Sequence, residues 1–352
     1  MNIHAKRIKD LQKLLKREKL DALVLARKLE TGFFTGYPLE GPVMLVSRSS
    51  AWAFMPKMLL ADFSSKVNFV RASAPDSLPE AVSAAVKENR LKRTAFEPET
   101  ESYLRGNLWK KRGFLERKGL SACLRSVKEG EEITTVRRSC HIAAQAIRIL
   151  KPRVRTGRTE LSVALELEDV MQSMGAKGPS FDLIVGFGPH SALPHHETSE
   201  RRLKKNEAVL IDFGCVYRNY CSDITRTWFH GRPSEEFRKV YSVVAGSHKA
   251  GLDSVRAGVK TRAVDAACRD HIAAAGYGQY FIHSTGHGVG LEIHEAPSLS
   301  TRSDETLKAG MTVTVEPGIY LPGKFGVRIE DSVLVKKNGC EILTRPSETH
   351  SV

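Results

Sequence analysis

Asp212 stands in Ala208-Val-Leu-Ile-Asp-Phe-Gly-Cys-Val216, among apolar residues that mark a buried strand. An unpaired carboxylate in such a place is costly. Asp223 follows in Tyr220-Cys-Ser-Asp-Ile-Thr-Arg-Thr227, on what reads as the next strand. If Tyr217-Arg218 is a two-residue turn, Asp212 and Asp223 face each other with Cβ atoms about 5 Å apart. Two carboxylates that close repel unless one is protonated or a cation lies between them. A shared metal ion is the simplest resolution, and two aspartates in separate surface turns is the plain structural alternative. A turn at Arg218-Asn219 instead would shift the register and spoil the face-to-face geometry.

A second pair of carboxylates repeats the pattern. Glu316 ends the apolar run Met311-Thr-Val-Thr-Val315, and Glu330 lies in Gly326-Val-Arg-Ile-Glu-Asp-Ser-Val333, with Pro322-Gly323 between them. Four carboxylates in one pocket are untenable without a cation. With a divalent pair they become the hard oxygen donors that Mn²⁺, Co²⁺ or Zn²⁺ accept. Histidines complete the set: His283, His287 and His294 fall within Phe281–Pro297, and His195 and His196 lie in the loop that starts at Gly188. The spacing of His283 and His287 suits a helical zinc site, but Gly286, Gly288 and Gly290 argue against a helix there. A glycine-rich extended segment lets the backbone approach a ligand closely.

The elements that must position these residues alternate helix and strand. In the N-terminal part we expect a helix near 3–19, a strand at Asp21–Ala26, a hairpin of Val43–Ser47 with Ala51–Phe54, and a strand at Val67–Ala72. A helix over Ser77–Asn89 and extended structure at Arg93–Phe96 follow. Apolar periodicity fades around Leu115–Glu132, which places a domain boundary near 124. Two helices should follow, Glu131 to about Leu150 and Thr159 to Met174, separated by the stop at Lys151-Pro152. Beyond them lie strands at Phe181–Val185, Ala208–Val216 and Ser222–Phe229, a helical stretch from Glu235 to Ala275 broken near Ala257–Lys260, and strands at Met311–Glu316 and Val327–Val335. No short-period repeat is visible.

The net charge of +14 asks first whether nucleic acid is the partner. Residues 1–124 hold 23 Lys and Arg against 13 Asp and Glu, and the rest of the chain 31 against 27, so the excess lies away from the carboxylate cluster. No aromatic-interleaved reading motif accompanies it, and a solvated helix face accounts for Lys6 to Lys19. No run approaches the roughly 20 apolar residues of a membrane span. The N-terminal stretch lacks the apolar core of a secretory signal. Six cysteines without CxxC pairing read as reduced thiols of a cytoplasmic protein, and Cys215 and Cys221 are too soft to be preferred over the oxygen donors beside them.

Seven blocks in order carry a resemblance: Ser-Phe-Asp at 180–182, Ala-Leu-Pro-His at 192–195, Ile-Asp-Phe-Gly at 211–214, Ser-Asp-Ile-Thr-Arg-Thr at 222–227, Gly-His-Gly-Val-Gly-Leu-Glu-Ile-His-Glu at 286–295, Val-Glu-Pro-Gly-Ile-Tyr at 315–320 and Gly-Val-Arg-Ile-Glu-Asp at 326–331. Over roughly 125–345 the chain resembles the pita-bread metallopeptidases, in the Xaa-Pro branch that contains aminopeptidase P and prolidase. The resemblance implies an α/β chain with a creatinase-like N-terminal domain, 1–124. A catalytic pita-bread domain, 125–352, would follow, with a curved, mostly antiparallel sheet covered by helices. It implies a peptidase that hydrolyses the Xaa-Pro bond at the N-terminus of peptides or in dipeptides.

The same resemblance implies roles. Asp223 and Glu330 bridge two divalent ions, Mn²⁺ first and Co²⁺ or Zn²⁺ also acceptable. Asp212 completes one ion, and His287 with Glu316 the other. A metal-bridging hydroxide attacks, Glu316 shuttles the proton, and His294 stabilises the oxyanion. His195 and His283 line the substrate pocket, and Arg328 pairs with the carboxylate cluster. A homodimer acting on proline-containing peptides or dipeptides is expected, without membrane or nucleic acid. One departure is His196 directly after His195, where a small residue is expected, so which imidazole faces the substrate is open. Methionine aminopeptidases share the fold and ligand set but fit the N-terminal domain and the 192–195 and 326–331 blocks less well. A metal-free binding module of this fold should have lost ligands.

Overall fold

The computed structural model describes residues 2–345. The chain packs as two compact units, Met1–Arg125 and Ser126–Val352. The first is built on a six-stranded mixed sheet in the order Arg71–Ser73, Ala51–Phe54, Val43–Ser47, Ala22–Leu25, Thr94–Phe96, Leu115–Glu116. Its helix Ile3–Arg17 buries Ile8, Leu11, Leu14 and Leu15, the stripe that the sequence spaces for one face. The Asn2 side chain caps it by accepting from His4 N at 2.8 Å, and Lys9, Lys13, Lys16 and Arg17 are exposed. The strand expected at Val67–Ala72 shrinks to Arg71–Ser73 at the sheet edge. Helices at Lys28–Thr35, Lys57–Lys66 and Tyr103–Lys111 have no counterpart in the sequence reading. They are short, and their apolar residues do not trace a clear 3.6-residue period.

The second unit carries the carboxylates and is built twice. Residues 131–230 and 235–336 each give a 20-residue helix, Glu131–Leu150 and Glu235–Ser254, and then a 14-residue helix, Glu160–Ser173 and Thr261–Ala274. Three antiparallel strands follow in each half: Ile184–Phe187, Glu207–Phe213 and Ile224–His230 in one, Gly286–Gly288, Thr312–Val315 and Asp331–Lys336 in the other. In both halves the middle strand pairs with the other two. The isolated bridges Thr159↔Arg202 and Lys260↔Thr306 correspond as well. The duplication is invisible in the sequence because a core demands apolar character and volume, not identity. Two clusters of buried side chains result, one around Leu167, Phe187, Ile211 and Phe213, the other around Val244, Val264, Val313 and Val333.

The hairpin after Asp212 corrects the expected register. Arg218 and Asn219 form the turn, at φ 46° and 68°, and Tyr217 pairs with Tyr220. Asp212 therefore opposes Thr225, and the two aspartates are not directly face to face. Moving the turn by one residue moves each partner by two, so the face is kept, and Asp223 remains on the side of Asp212 one pleat away. The strand expected over Ala208–Val216 is also broken at Gly214. A Cβ there would lie 1.8 Å from the Ser222 carbonyl oxygen, so only glycine admits this close crossing.

The run expected as one strand over Val327–Val335 is two strands in different sheets. Phe325–Arg328 forms a hairpin with Gly318–Leu321 around Gly323, and Asp331–Lys336 pairs with Thr312–Val315. Glu330 lies at the break. Val315 opposes Asp331, so the next step of the register sets Glu316 against Glu330 just beyond the ladder.

Gly214→Ala should destabilise the protein by at least about 2 kcal/mol, because backbone and not a flexible side chain must move. A melting temperature within a degree of wild type would show that the crossing tolerates a methyl group.

Candidate metal centre and active-site cleft

All nine residues singled out from the sequence line one cleft of about 580 Å³: Asp212, Asp223, His195, His283, His287, His294, Glu316, Arg328 and Glu330. Asp212 projects from a strand whose preceding residues, Ala208 to Ile211, are buried, and Asp223 precedes the strand that pairs with it. His287 comes from the glycine-rich strand Gly286–Gly288, which is extended as its composition demands. Glu316 and Glu330 cap the paired strands of the second half. Each half of the duplication thus contributes two carboxylates.

His287 is the hub. Its Nδ1–H donates to the Gly288 carbonyl at 3.0 Å, which leaves Nε2 to face Asp223 Oδ2 at 3.4 Å and Glu316 Oε1 at 3.3 Å. Asp223, His287 and Glu330 each present a ligand atom within 4.8 Å of the others. Spacings of 3.3–3.4 Å are long for a charge-assisted hydrogen bond but match the edge of a tetrahedron with bonds of about 2.1 Å. Oδ1 of Asp212 and Oε1 of Glu330 are buried with no hydrogen-bond partner among the described residues. Buried carboxylate oxygens are not normally left so. The donor set, the imidazole tautomer and the orphaned oxygens all fit a divalent-ion site.

The protonation pattern has the same origin. Burial, with the negative charges of Asp212 and Glu316 added, pushes the Asp223 carboxyl up to about 7. Burial and the charges of Asp223, Glu316 and Asp212 push Glu330 well above the usual carboxylate range. Burial opposes ionisation of Glu316 too, but the His287 contact and the charges of His287 and Arg328 hold it down to about 2. Burial would neutralise His287, and the carboxylates of Asp223 and Glu316 instead raise it well above the imidazole range. Protons here occupy the role a cation would take.

Residues 134–337 match the sequence profile of metallopeptidase family M24, and residues 7–127 that of the Creatinase/Prolidase N-terminal domain. The chain belongs to family M24. A Xaa-Pro dipeptidase of Pyrococcus furiosus is 35% identical over 345 residues, 96% of this chain and 97% of the relative. Among solved structures, a Xaa-Pro dipeptidase from Bacillus anthracis superposes with a TM-score of 0.93 at 36% identity, covering 97% of both chains. An X-Pro aminopeptidase from Thermotoga maritima superposes with 0.84 at 34% identity, covering 95% of this chain and 98% of that one. Neighbours thus carry both activities named for the Xaa-Pro branch.

Around the M24 carboxylates lies a chain of hydrogen bonds that the motifs did not disclose. Arg328 donates through Nη2 to Asp212 Oδ2, through Nε to Thr225 Oγ1 at 3.0 Å, and through Nη1 to the Tyr320 hydroxyl at 2.7 Å. Tyr320 donates onward to His283 Nε2 at 2.8 Å, and His283 Nδ1–H donates to Ser284 O at 2.7 Å. Burial pushes the Tyr320 hydroxyl up to about 12, and burial also lowers His283, so both are neutral near pH 7. Tyr320 falls two residues after Gly318 on one strand, hence on the same face, and Gly318 pairs with Arg328, a pairing that no local pattern in the sequence gives. On the other side of His287 the His294 ring lies 4.3 Å away, edge to face, and is open to the cleft.

Asp265 and Arg269, an i, i+4 pair on the helix Thr261–Ala274, hold the His283 segment from behind. Asp265 accepts from Thr285 N at 3.1 Å, and Arg269 donates to the carbonyls of Phe281 and His283 at 3.0 and 2.8 Å. Of the adjacent histidines, His195 lines the cleft, while His196 turns away to Glu160 at 2.9 Å. Helix residues such as Glu160 and Asp265 gave no sequence signal, because helix surfaces carry such charges routinely.

Tyr320→Phe leaves Arg328 Nη1 and His283 Nε2 short of a buried partner, at a cost of about 1–3 kcal/mol. A lower melting temperature in chelator-treated protein checks this, and an unchanged one would show that the hydroxyl is dispensable to the fold.

Proposed function

We propose that this M24 protein is a dinuclear-metal-dependent peptidase that hydrolyses the Xaa-Pro bond of dipeptides or at the N-terminus of longer peptides. The observation that carries this reading is the convergence of Asp212, Asp223, His287, Glu316 and Glu330 with orphaned buried oxygens among them. Asp223 and Glu330 would be shared between the two ions. Asp212 would complete one ion, and His287 and Glu316 the other. Mn²⁺ is the favoured ion, since hard oxygen donors dominate the set. When bound, the ion pair supplies Lewis acidity and lowers the pKa of water.

The chain's own groups do the rest. Phe181, Ile184, Pro194 and Ile293 give the cleft apolar walls suited to a pyrrolidine ring and a neighbouring side chain. Glu316 Oε1 accepts from Thr314 and faces His287, so Oε2 is the atom left to take up and return a proton. Burial first, and then the charge of His287, lowers the pKa of His294, so a neutral imidazole is ready to donate N–H to a developing oxyanion. The chain from Asp212 through Arg328 and Tyr320 fixes His283 in one tautomer at the pocket wall. His195 lines the same cleft as His283 and His294.

Support for a homodimer comes from Leu193 and Ile282, 53% and 65% exposed beside His195 and His283 at the cleft. A monomeric mass in solution would remove that idea. Cys140, Cys215, Cys221 and Cys268 are buried thiols, which suits a cytoplasmic location. No helix among the described residues is long and apolar enough to cross a membrane.

The deciding experiment is hydrolysis of Gly-Pro, Ala-Pro and Ala-Pro-Ala by chelator-stripped protein, with and without Mn²⁺ or Co²⁺. Metal-dependent release of the N-terminal residue is expected, and the dipeptide-to-tripeptide preference names the branch. No cleavage with any metal by folded protein would favour a binding role. Asp223→Asn should lose bound metal and nearly all activity with its fold intact. His294→Ala should keep its metal and lose roughly 100-fold in kcat. Full metal content and rate in Asp223→Asn would show the bridging assignment to be wrong.

A further inference from the structure

The segment after Ala192 carries two adjacent histidines, and only one reaches the cleft. Leu193, His195 and Glu197 are exposed while Pro194, His196 and Thr198 are not, and residues 193–196 close as a turn in which His196 N donates to Leu193 O at 3.2 Å. A shift of this turn by one residue along the chain would exchange the two imidazoles. The segment is fixed upstream at Ser191, whose hydroxyl accepts from Gly326 N at 2.9 Å and donates to Gly188 O at 2.6 Å. Downstream, the Thr198 hydroxyl donates to Leu183 O at 2.6 Å and accepts from Val185 N at 3.0 Å. Between these anchors the backbone makes only local turn bonds, Leu193 N to His190 O at 3.1 Å and His196 N to Leu193 O at 3.2 Å, and Arg328 Nη1 reaches Pro194 O at 3.5 Å.

The His196 side chain ties this turn to the helix behind it. Its side chain is 8% exposed, and Nε2–H donates to Glu160 Oε2 at 2.9 Å. Glu160, in the first turn of the helix Glu160–Ser173, is fully buried. It also accepts from Phe187 N and His190 Nδ1, both at 2.9 Å, and from Ser199 N and Oγ at 3.2 and 2.5 Å. Every one of these donors lies between residues 187 and 199, so a single carboxylate gathers the whole segment. Glu160, His190 and His196 lie close enough together to hold a metal ion. Their 2.9 Å contacts, however, are those of direct hydrogen bonds, shorter than the 3.3–3.4 Å around His287. Burial works against the charged form of Glu160, and the bonds from Ser199, His196 and Phe187 more than reverse it, so the acceptor is ionised.

We propose that Glu160 is a positioning residue: by holding His196 it sets the register of residues 193–197 and so presents His195, and not its neighbour, to the substrate. The proposal rests on the peptidase reading for what His195 does there, but not for the clamp itself.

The test is a double-mutant cycle on Ala-Pro hydrolysis by the Mn²⁺-loaded protein, beside imidazole NMR of the metal-free protein. Glu160→Gln and His196→Ala should each lower kcat/KM roughly 10- to 100-fold, the scale of a small misplacement, with metal content unchanged. His196→Gln, whose amide still donates, should recover most of the rate. Added to His195→Ala, each change should cost little more, because the effect passes through His195. In the NMR arm, Glu160→Gln should abolish the solvent-sheltered His196 Nε2–H signal and shift the His195 ring signals. Losses that multiply with His195→Ala, a wild-type rate in His196→Ala, or an unmoved His195 spectrum would each overturn the proposal. Wild-type protein that binds metal but cleaves no Xaa-Pro bond would instead fail the peptidase reading, and the NMR arm would still decide the clamp.

Discussion

Four carboxylates and one imidazole share a space from which water is largely withdrawn, and their mutual repulsion is the constraint around which the second unit is arranged. Asp223 and Glu330 are driven toward protonation, Glu316 stays ionised only beside His287, and His287 is driven toward the cation. At an effective dielectric of about 20, two like charges 4 Å apart cost roughly 4 kcal/mol, too much for four to coexist uncompensated. A scaffold that keeps them converged must hold their backbones by other means. Here paired strands, Gly214 at a close crossing and the guanidinium of Arg328 do so.

The duplication explains how one chain delivers such a cluster. A 20-residue helix, a 14-residue helix and three antiparallel strands bring two carboxylates to the ends of paired strands, and a second copy brings two more. Neither half holds a complete set: His287 comes from the second, and Asp212 with Asp223 from the first. Helices behind the strands serve the cleft as well as the core. Glu160 and Asp265, each on the 14-residue helix of its half, reach irregular backbone near His195 and His283.

The basic N-terminal unit contributes none of the residues that line the cleft. Its surplus of Lys and Arg is displayed on exposed positions such as Lys9, Lys13, Lys16 and Arg17 of the first helix, whose other face packs Leu11 and Leu15 inside. The match to the Creatinase/Prolidase N-terminal domain accounts for that unit's fold.

What the sequence determined by itself was chemical identity. Carboxylates embedded in apolar strands and histidines among glycines are improbable unless something binds them, and all nine chosen residues meet in one cleft. It also determined the long helices and most strands, because their periodicity is local. Tertiary structure decided the rest. The turn at Arg218-Asn219 was chosen over Tyr217-Arg218 by pairing across two strands, which no local propensity fixes. Tyr320 became a link because Arg328 and His283, 8 and 37 residues away in sequence, converge on its hydroxyl. The choice between His195 and His196 fell to Glu160, 36 residues upstream of His196, because a local turn does not decide which of two adjacent imidazoles faces inward, and a buried charge in a fixed place does.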